Sequence, residues 1–98
     1  MKANNNYEAV VMFYPEVSEE DRNNALGRLK DVLDKYGSVK NVDEWGLRKL
    51  AYLIEYKSEA YYVLIDFDSD PEGIKEFDRI AKIMDPVMRH MIVRKDDK

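Results

Sequence analysis

Two helical segments, each opened by its own capping residue and each set between strand-like runs, constrain this chain more than any other feature. Ser18 precedes Glu19, Glu20 and Asp21. A hydroxyl there can accept from the first free backbone N–H groups, and the acids meet the positive end of the helix dipole. Ala25, Leu26, Leu29, Val32, Leu33 and Tyr36 follow at helical spacing, which predicts a helix over 19–36. Gly37 is expected to stop it in the left-handed conformation. Asp70-Pro71 repeats the arrangement as an N-cap and a first-turn proline ahead of Ile74, Phe77, Ile80 and Ala81, and Pro86 prevents continuation.

Between and around the helices lie four strand-like runs. Tyr7 to Tyr14 is β-branched and aromatic and is closed by Pro15. From Ser38 onward Val39, Val42, Trp45, Leu47, Leu50, Tyr52 and Ile54 mark a long second strand, with Gly46 expected at a bulge or bend. A polar break over Tyr56-Lys57-Ser58-Glu59 joins it as a hairpin to Ala60–Phe67, apolar on both faces as a central strand should be. Val87–Arg94 is the fourth. Strand, helix, strand, strand, helix, strand is the order of the split βαβ, or ferredoxin-like, α+β sandwich. Right-handed crossovers then give an antiparallel sheet in order 2-3-1-4 with both helices on one face. The second and fourth strands become edges, and Phe13, Tyr36, Phe67 and Phe77 are expected in the core.

The 98 residues fit a single domain, 1–98, with an ordered core expected over about 7–95. No cysteine is present, so disulfide frameworks, thiolate metal sites and cysteine nucleophiles are excluded. The segment from Met1 to Asn6 has no apolar signal core and no run approaches a membrane span, which leads us to expect a soluble protein without a membrane partner. A net charge of -4 argues against a non-specific polyanion binder, so any nucleic-acid contact has to be local.

Two strands look built for contact. Trp45-Gly46-Leu47-Arg48-Lys49-Leu50-Ala51-Tyr52 places adjacent cations and two aromatics in an apolar strand, and in Met88-Arg89-His90-Met91-Ile92-Val93-Arg94 three basic positions interrupt an apolar strand at the other edge. Neighbours on a strand face opposite ways, so Arg48 and Lys49 are divided between the two faces, as are Arg89 and His90. Phosphate neutralisation and plain edge protection both account for such cations. Tyr7, Trp45, Tyr52 and Tyr62 suit base stacking, a protein contact or simple half-burial. His90, the one histidine, has no second histidine or cysteine at metal spacing, so no metal is expected. No phosphate-cradling glycine loop, nucleophile elbow or paired metal ligands occur, and no enzyme activity, cofactor or small-molecule substrate is expected.

Tyr7-Glu8, Glu44-Trp45-Gly46-Leu47-Arg48-Lys49-Leu50-Ala51-Tyr52, Ala60-Tyr61-Tyr62-Val63 and Met88–Arg94 together resemble the bacterial small-subunit ribosomal protein six family, from about Tyr7 to Lys95. The Gly-Leu-Arg-Lys-Leu-Ala-Tyr run is the most specific part. The resemblance implies a non-catalytic constituent of the small ribosomal subunit in the bacterial cytoplasm. It also implies binding to the central domain of small-subunit ribosomal RNA (rRNA) together with small-subunit ribosomal protein eighteen, and a monomer when isolated. On this reading Arg48, Lys49, Arg89, His90 and Arg94 are the RNA-binding candidates. Trp45, Leu47, Leu50, Tyr52 and Tyr62 are the candidates for the partner-protein interface. The alternative is a homo-oligomeric ferredoxin-like module that binds a ligand between its edges. Two departures stand out: Leu53 occupies a position where many members carry proline, and Lys95-Asp96-Asp97-Lys98 replaces the long acidic tail of some members.

Overall fold

The strand that opens the fold, β1 (Asn5–Phe13), runs through the middle of a four-stranded antiparallel sheet whose order is β2-β3-β1-β4. The other elements are α1 (Glu19–Tyr36), β2 (Gly37–Ile54), β3 (Lys57–Ser69), α2 (Pro71–Ile83) and β4 (Val87–Arg94). This computed structural model describes residues 5–54 and 56–95, except for the side chain of residue 54. The expected ferredoxin-like topology, with β2 and β4 as edges, is the one observed.

Both helices start where the sequence places them. Ser18 Oγ accepts from the Asp21 N–H at 3.1 Å, and an Asp70 carboxylate oxygen accepts from the Gly73 N–H at 3.0 Å, with Pro71 in the first turn. Each cap satisfies a donor that the helix itself leaves unpaired. The helices pack on one side of the sheet. Leu26, Leu29 and Leu33 of α1 and Phe77, Ile80 and Ala81 of α2 cover Ala9, Val11 and Phe13 of β1 and Val63, Ile65 and Phe67 of β3. Phe67 is the hub, with its ring centroid 5.6 Å from Tyr7 and 6.1 Å from Phe77. Burying each large side chain contributes about 1.5–3 kcal/mol, so this layer dominates the stability.

Three expectations change in detail. Gly37 is not left-handed: its φ of 179 is extended, and β2 starts there. A glycine fits because a Cβ would collide with the backbone carbonyl of Asp68 on the paired strand. Tyr36 is half-buried at the end of α1 rather than in the core, with Lys35 Nζ 5.6 Å from its ring. The polar residues Lys57, Ser58 and Glu59 belong to β3 and not to a break. The last paired positions before the turn are Ile54 and Lys57, and Tyr56 adopts φ 66. Few helix residues reach that far along the hairpin, so the strand there has no core to fill and tolerates polar side chains.

Candidate nucleic-acid and partner interface

With the helices on one side, the opposite face of the sheet is uncovered, and register decides which residues stand on it. Cα partners in antiparallel strands share a face. Gly46 pairs with Tyr62, Tyr62 with Met12 and Met12 with Arg89, so one row crosses all four strands on the open face. Arg48 lies opposite Ala60, on the same face. Around these positions Met12, Ala60 and Met88 are buried in a second, smaller apolar cluster, with Tyr14, Leu50 and Tyr62 packed against it.

Gly46 is what sets Arg48 beside Trp45 on this face. The register of β2 against β3 slips between Glu44 and Gly46, with Gly46 at φ 86, a left-handed conformation that favours glycine. The bulge adds one residue, which changes the parity of everything beyond it. Trp45 stacks on Tyr62, ring centroids 6.3 Å apart, while its indole N–H donates to Asp43 at 3.2 Å. Leu47 pairs with Tyr61 and stands on the helix side of the sheet.

Arg48 folds back over this pair. Its guanidinium carbon is 5.2 Å from the Trp45 ring centroid and its Nε 3.5 Å from the Trp45 carbonyl oxygen. A cation over an indole face is attracted by the ring quadrupole and stays solvated on its other side. Among the described residues, Arg48, Lys49 and Arg89 have no carboxylate within ion-pair distance. Lys49 lies opposite Glu59, on the face away from Arg48.

The remaining candidates are placed elsewhere. His90 turns to the helix side, where Nε2 is 2.7 Å from Asp78 Oδ1 and the ring meets the edge of Phe77 at 6.1 Å. That hydrogen bond, with a second contribution from Lys82, holds the Asp78 carboxyl below its ordinary value. Arg94 pairs with Tyr7 on the helix side and donates to Asn5 Oδ1 at 3.2 Å. Tyr52 is exposed on the outer part of the hairpin, beyond the cluster. The open face thus gathers Arg48 and Arg89 from the RNA set and Trp45, Leu50 and Tyr62 from the partner set; Lys49, His90, Arg94 and Leu47 stand on the helix side, and Tyr52 lies outside the apolar cluster.

A cleft of about 470 Å³ opens at the other end of the sheet, lined by Asn6, Tyr7, Lys40, Asn41, Asp66, Phe67 and Lys95. Its charges neutralise one another, Lys95 with Asp66 at 3.3 Å and Lys40 with Asp68 at 3.7 Å.

A family model described as ribosomal protein S6 matches residues 6–94. The chain belongs to the ribosomal protein S6 family. Small ribosomal subunit protein bS6 of Caldanaerobacter subterraneus subsp. tengcongensis is 44% identical to it over 92 residues, which are 93% of this chain and 97% of the relative. The bS6 protein of Thermoanaerobacter pseudethanolicus is 45% identical with the same coverage. Among solved structures, the crystal structure of 30S ribosomal protein S6 from Thermotoga maritima superposes with a TM-score of 0.88 at 27% identity, covering 95% of this chain and 89% of that one. S6 proteins are components of the bacterial small ribosomal subunit, hence of the cytoplasmic translation machinery, and are structural proteins, not enzymes.

Proposed function

We propose that this S6 chain binds the central domain of small-subunit rRNA as one half of a pair with small-subunit ribosomal protein eighteen, using the open face of its sheet. The observation that carries the reading is the placement of Arg48 and Arg89, without carboxylate partners among the described residues, on opposite edges of an apolar and aromatic patch. Three inter-strand spacings separate the two edges, about 14 Å. Trp45, Leu50 and Tyr62 offer the partner a surface between them. The arginines at its rim are placed for phosphate, which a guanidinium binds through two parallel N–H donors.

Charge supports the same division of labour. A chain with net charge -4 cannot gain much affinity from general counterion release, so a basic partner has to supply most of it. The test is a titration of a central-domain rRNA fragment with this protein, in the presence and absence of ribosomal protein eighteen. Tight binding that requires the partner is expected. Equal affinity without it would overturn the mechanism.

A further inference from the structure

Asp43 pairs with Leu64, which puts it on the open face, the face that carries Arg48. Among the described residues no cation lies within ion-pair distance of its carboxylate. By charge alone, an exposed acid on this face weakens the hold on phosphate. Its hydrogen bond gives it another part. Residues i and i+2 of a strand share a face, so Trp45 stands on the same side as Asp43, where it meets Tyr62. The indole N–H, a donor with no acceptor capacity, donates to Asp43 Oδ2 at 3.2 Å.

That bond restrains an exposed ring. Trp45 lies across Tyr62 with an interplanar angle of 24°, and a ring stacked on one neighbour can still slide and tilt over it. A hydrogen bond to the ring edge opposes both motions. Arg48 is in turn built onto the indole. Its guanidinium carbon is 5.2 Å from the ring centroid, and its Nε–H points at the Trp45 carbonyl oxygen at 3.5 Å, a long contact. With Nε directed at the backbone, the two terminal amino groups are the free edge of the fork, and they have no acceptor among the described residues. That edge offers two parallel N–H donors, the arrangement that a phosphate accepts.

We propose that Asp43 is a positioning residue for the RNA site: its carboxylate pins the Trp45 indole, and the pinned indole holds the Arg48 guanidinium with its terminal amino groups free, ordered before phosphate arrives. The inference rests on the RNA reading above, but its geometry can be tested without RNA. An arginine already ordered in the free protein gives up less side-chain freedom on binding, which raises affinity without adding a contact. The repulsion between the acid and phosphate works the other way, so the two effects have to be separated.

Asp43→Asn and Asp43→Ala remove the same charge, but only the first keeps an acceptor for the indole N–H. Comparing the two therefore cancels the charge and leaves the hydrogen bond. In the free protein, NMR relaxation should show the Trp45 indole N–H and the Arg48 Nε–H both more mobile in Asp43→Ala than in Asp43→Asn. With ribosomal protein eighteen saturating, Asp43→Ala should bind the rRNA fragment about threefold more weakly than Asp43→Asn. In an Arg48→Ala background the two should bind alike, because the residue through which Asp43 acts is gone. Equal mobility in the two variants, or equal affinity while the wild type binds RNA, would overturn the proposal. So would an affinity difference that persists without Arg48. If the mobilities differ as expected while the wild type with its partner binds no RNA, the positioning role stands and the RNA reading falls.

Discussion

Nε2 of His90 lies 2.7 Å from the Asp78 carboxylate, a hydrogen bond that ties the edge strand β4 to α2 across the helix side of the sheet. Lys82 approaches the other oxygen of the same carboxylate at 3.1 Å. Of the five cations or potential cations singled out on β2 and β4, His90 is the one held between core and helix, against Phe77. Its role is to anchor an edge.

The anchor predicts a pH dependence with a definite sign. The folded state depresses the Asp78 pKa, so the stabilisation is complete above the ordinary carboxylate value of about 3.9 and is lost as pH falls through the lower folded value. Urea melts of the wild type and Asp78→Asn should differ by a constant amount above pH ~5 and converge below pH ~4. A gap that persists at the lowest pH would exclude the carboxylate as its source. Because Asp78 is substantially exposed, the gap should be no more than about 1 kcal/mol.

Arg48→Ala and Arg89→Ala are each expected to weaken rRNA binding and to lower the salt slope by about one unit for each phosphate that is no longer neutralised. His90→Gln, on the neighbouring position of β4, should leave the slope unaltered. Affinity measured across a salt series checks all three. An unchanged slope in Arg48→Ala would assign that residue to protein or solvent.

Trp45→Ala removes the ring that stacks on Tyr62 and supports Arg48, and should cost about 2 kcal/mol or more in binding ribosomal protein eighteen if Trp45 is a central anchor of that interface. Leu47→Ala, on the other side of the same strand, should cost little. Calorimetry with the purified partner separates them. Equal losses would mean that the partner wraps the edge of β2 instead of lying on the open face.

Phe67→Ala opens a cavity between Tyr7 and Phe77 and is expected to destabilise the fold by about 3–5 kcal/mol in chemical denaturation. Given total stabilities of about 5–15 kcal/mol, such a variant stays largely folded only at low temperature and low denaturant. A loss below about 1 kcal/mol would mean that the aromatic column repacks.

Local chemistry makes the elements readable in the sequence. The Ser18 and Asp70 caps act within three residues of themselves, and helical spacing marks the buried face of α1, so both helix starts and the sheet order follow from pattern alone. The site is only partly legible, since it depends on parity and on contacts between elements. Strict alternation from Trp45 would put Leu47 beside it. The bulge at Gly46 separates them and sets Trp45 with Arg48 and Leu50. His90 meets Asp78 and Arg22 meets Tyr61 only once helices lie on strands, and no spacing in the sequence announces either pair. Gly37 departs from expectation for a related reason: its requirement comes from Asp68 on another strand, not from the helix it follows.

The pairing of β1 with β4, Tyr7 beside Arg94 at one end of the ladder and Phe13 beside Val87 at the other, also sets a schedule for synthesis. β4 can join the sheet only after residue 94 has been polymerised and has cleared the exit tunnel of the translating ribosome. Until then β1 has an open edge, the open-face row lacks Arg89, and the patch has only one of its two rim arginines. On the reading proposed above, a chain whose β4 has not yet docked presents an incomplete grip to RNA.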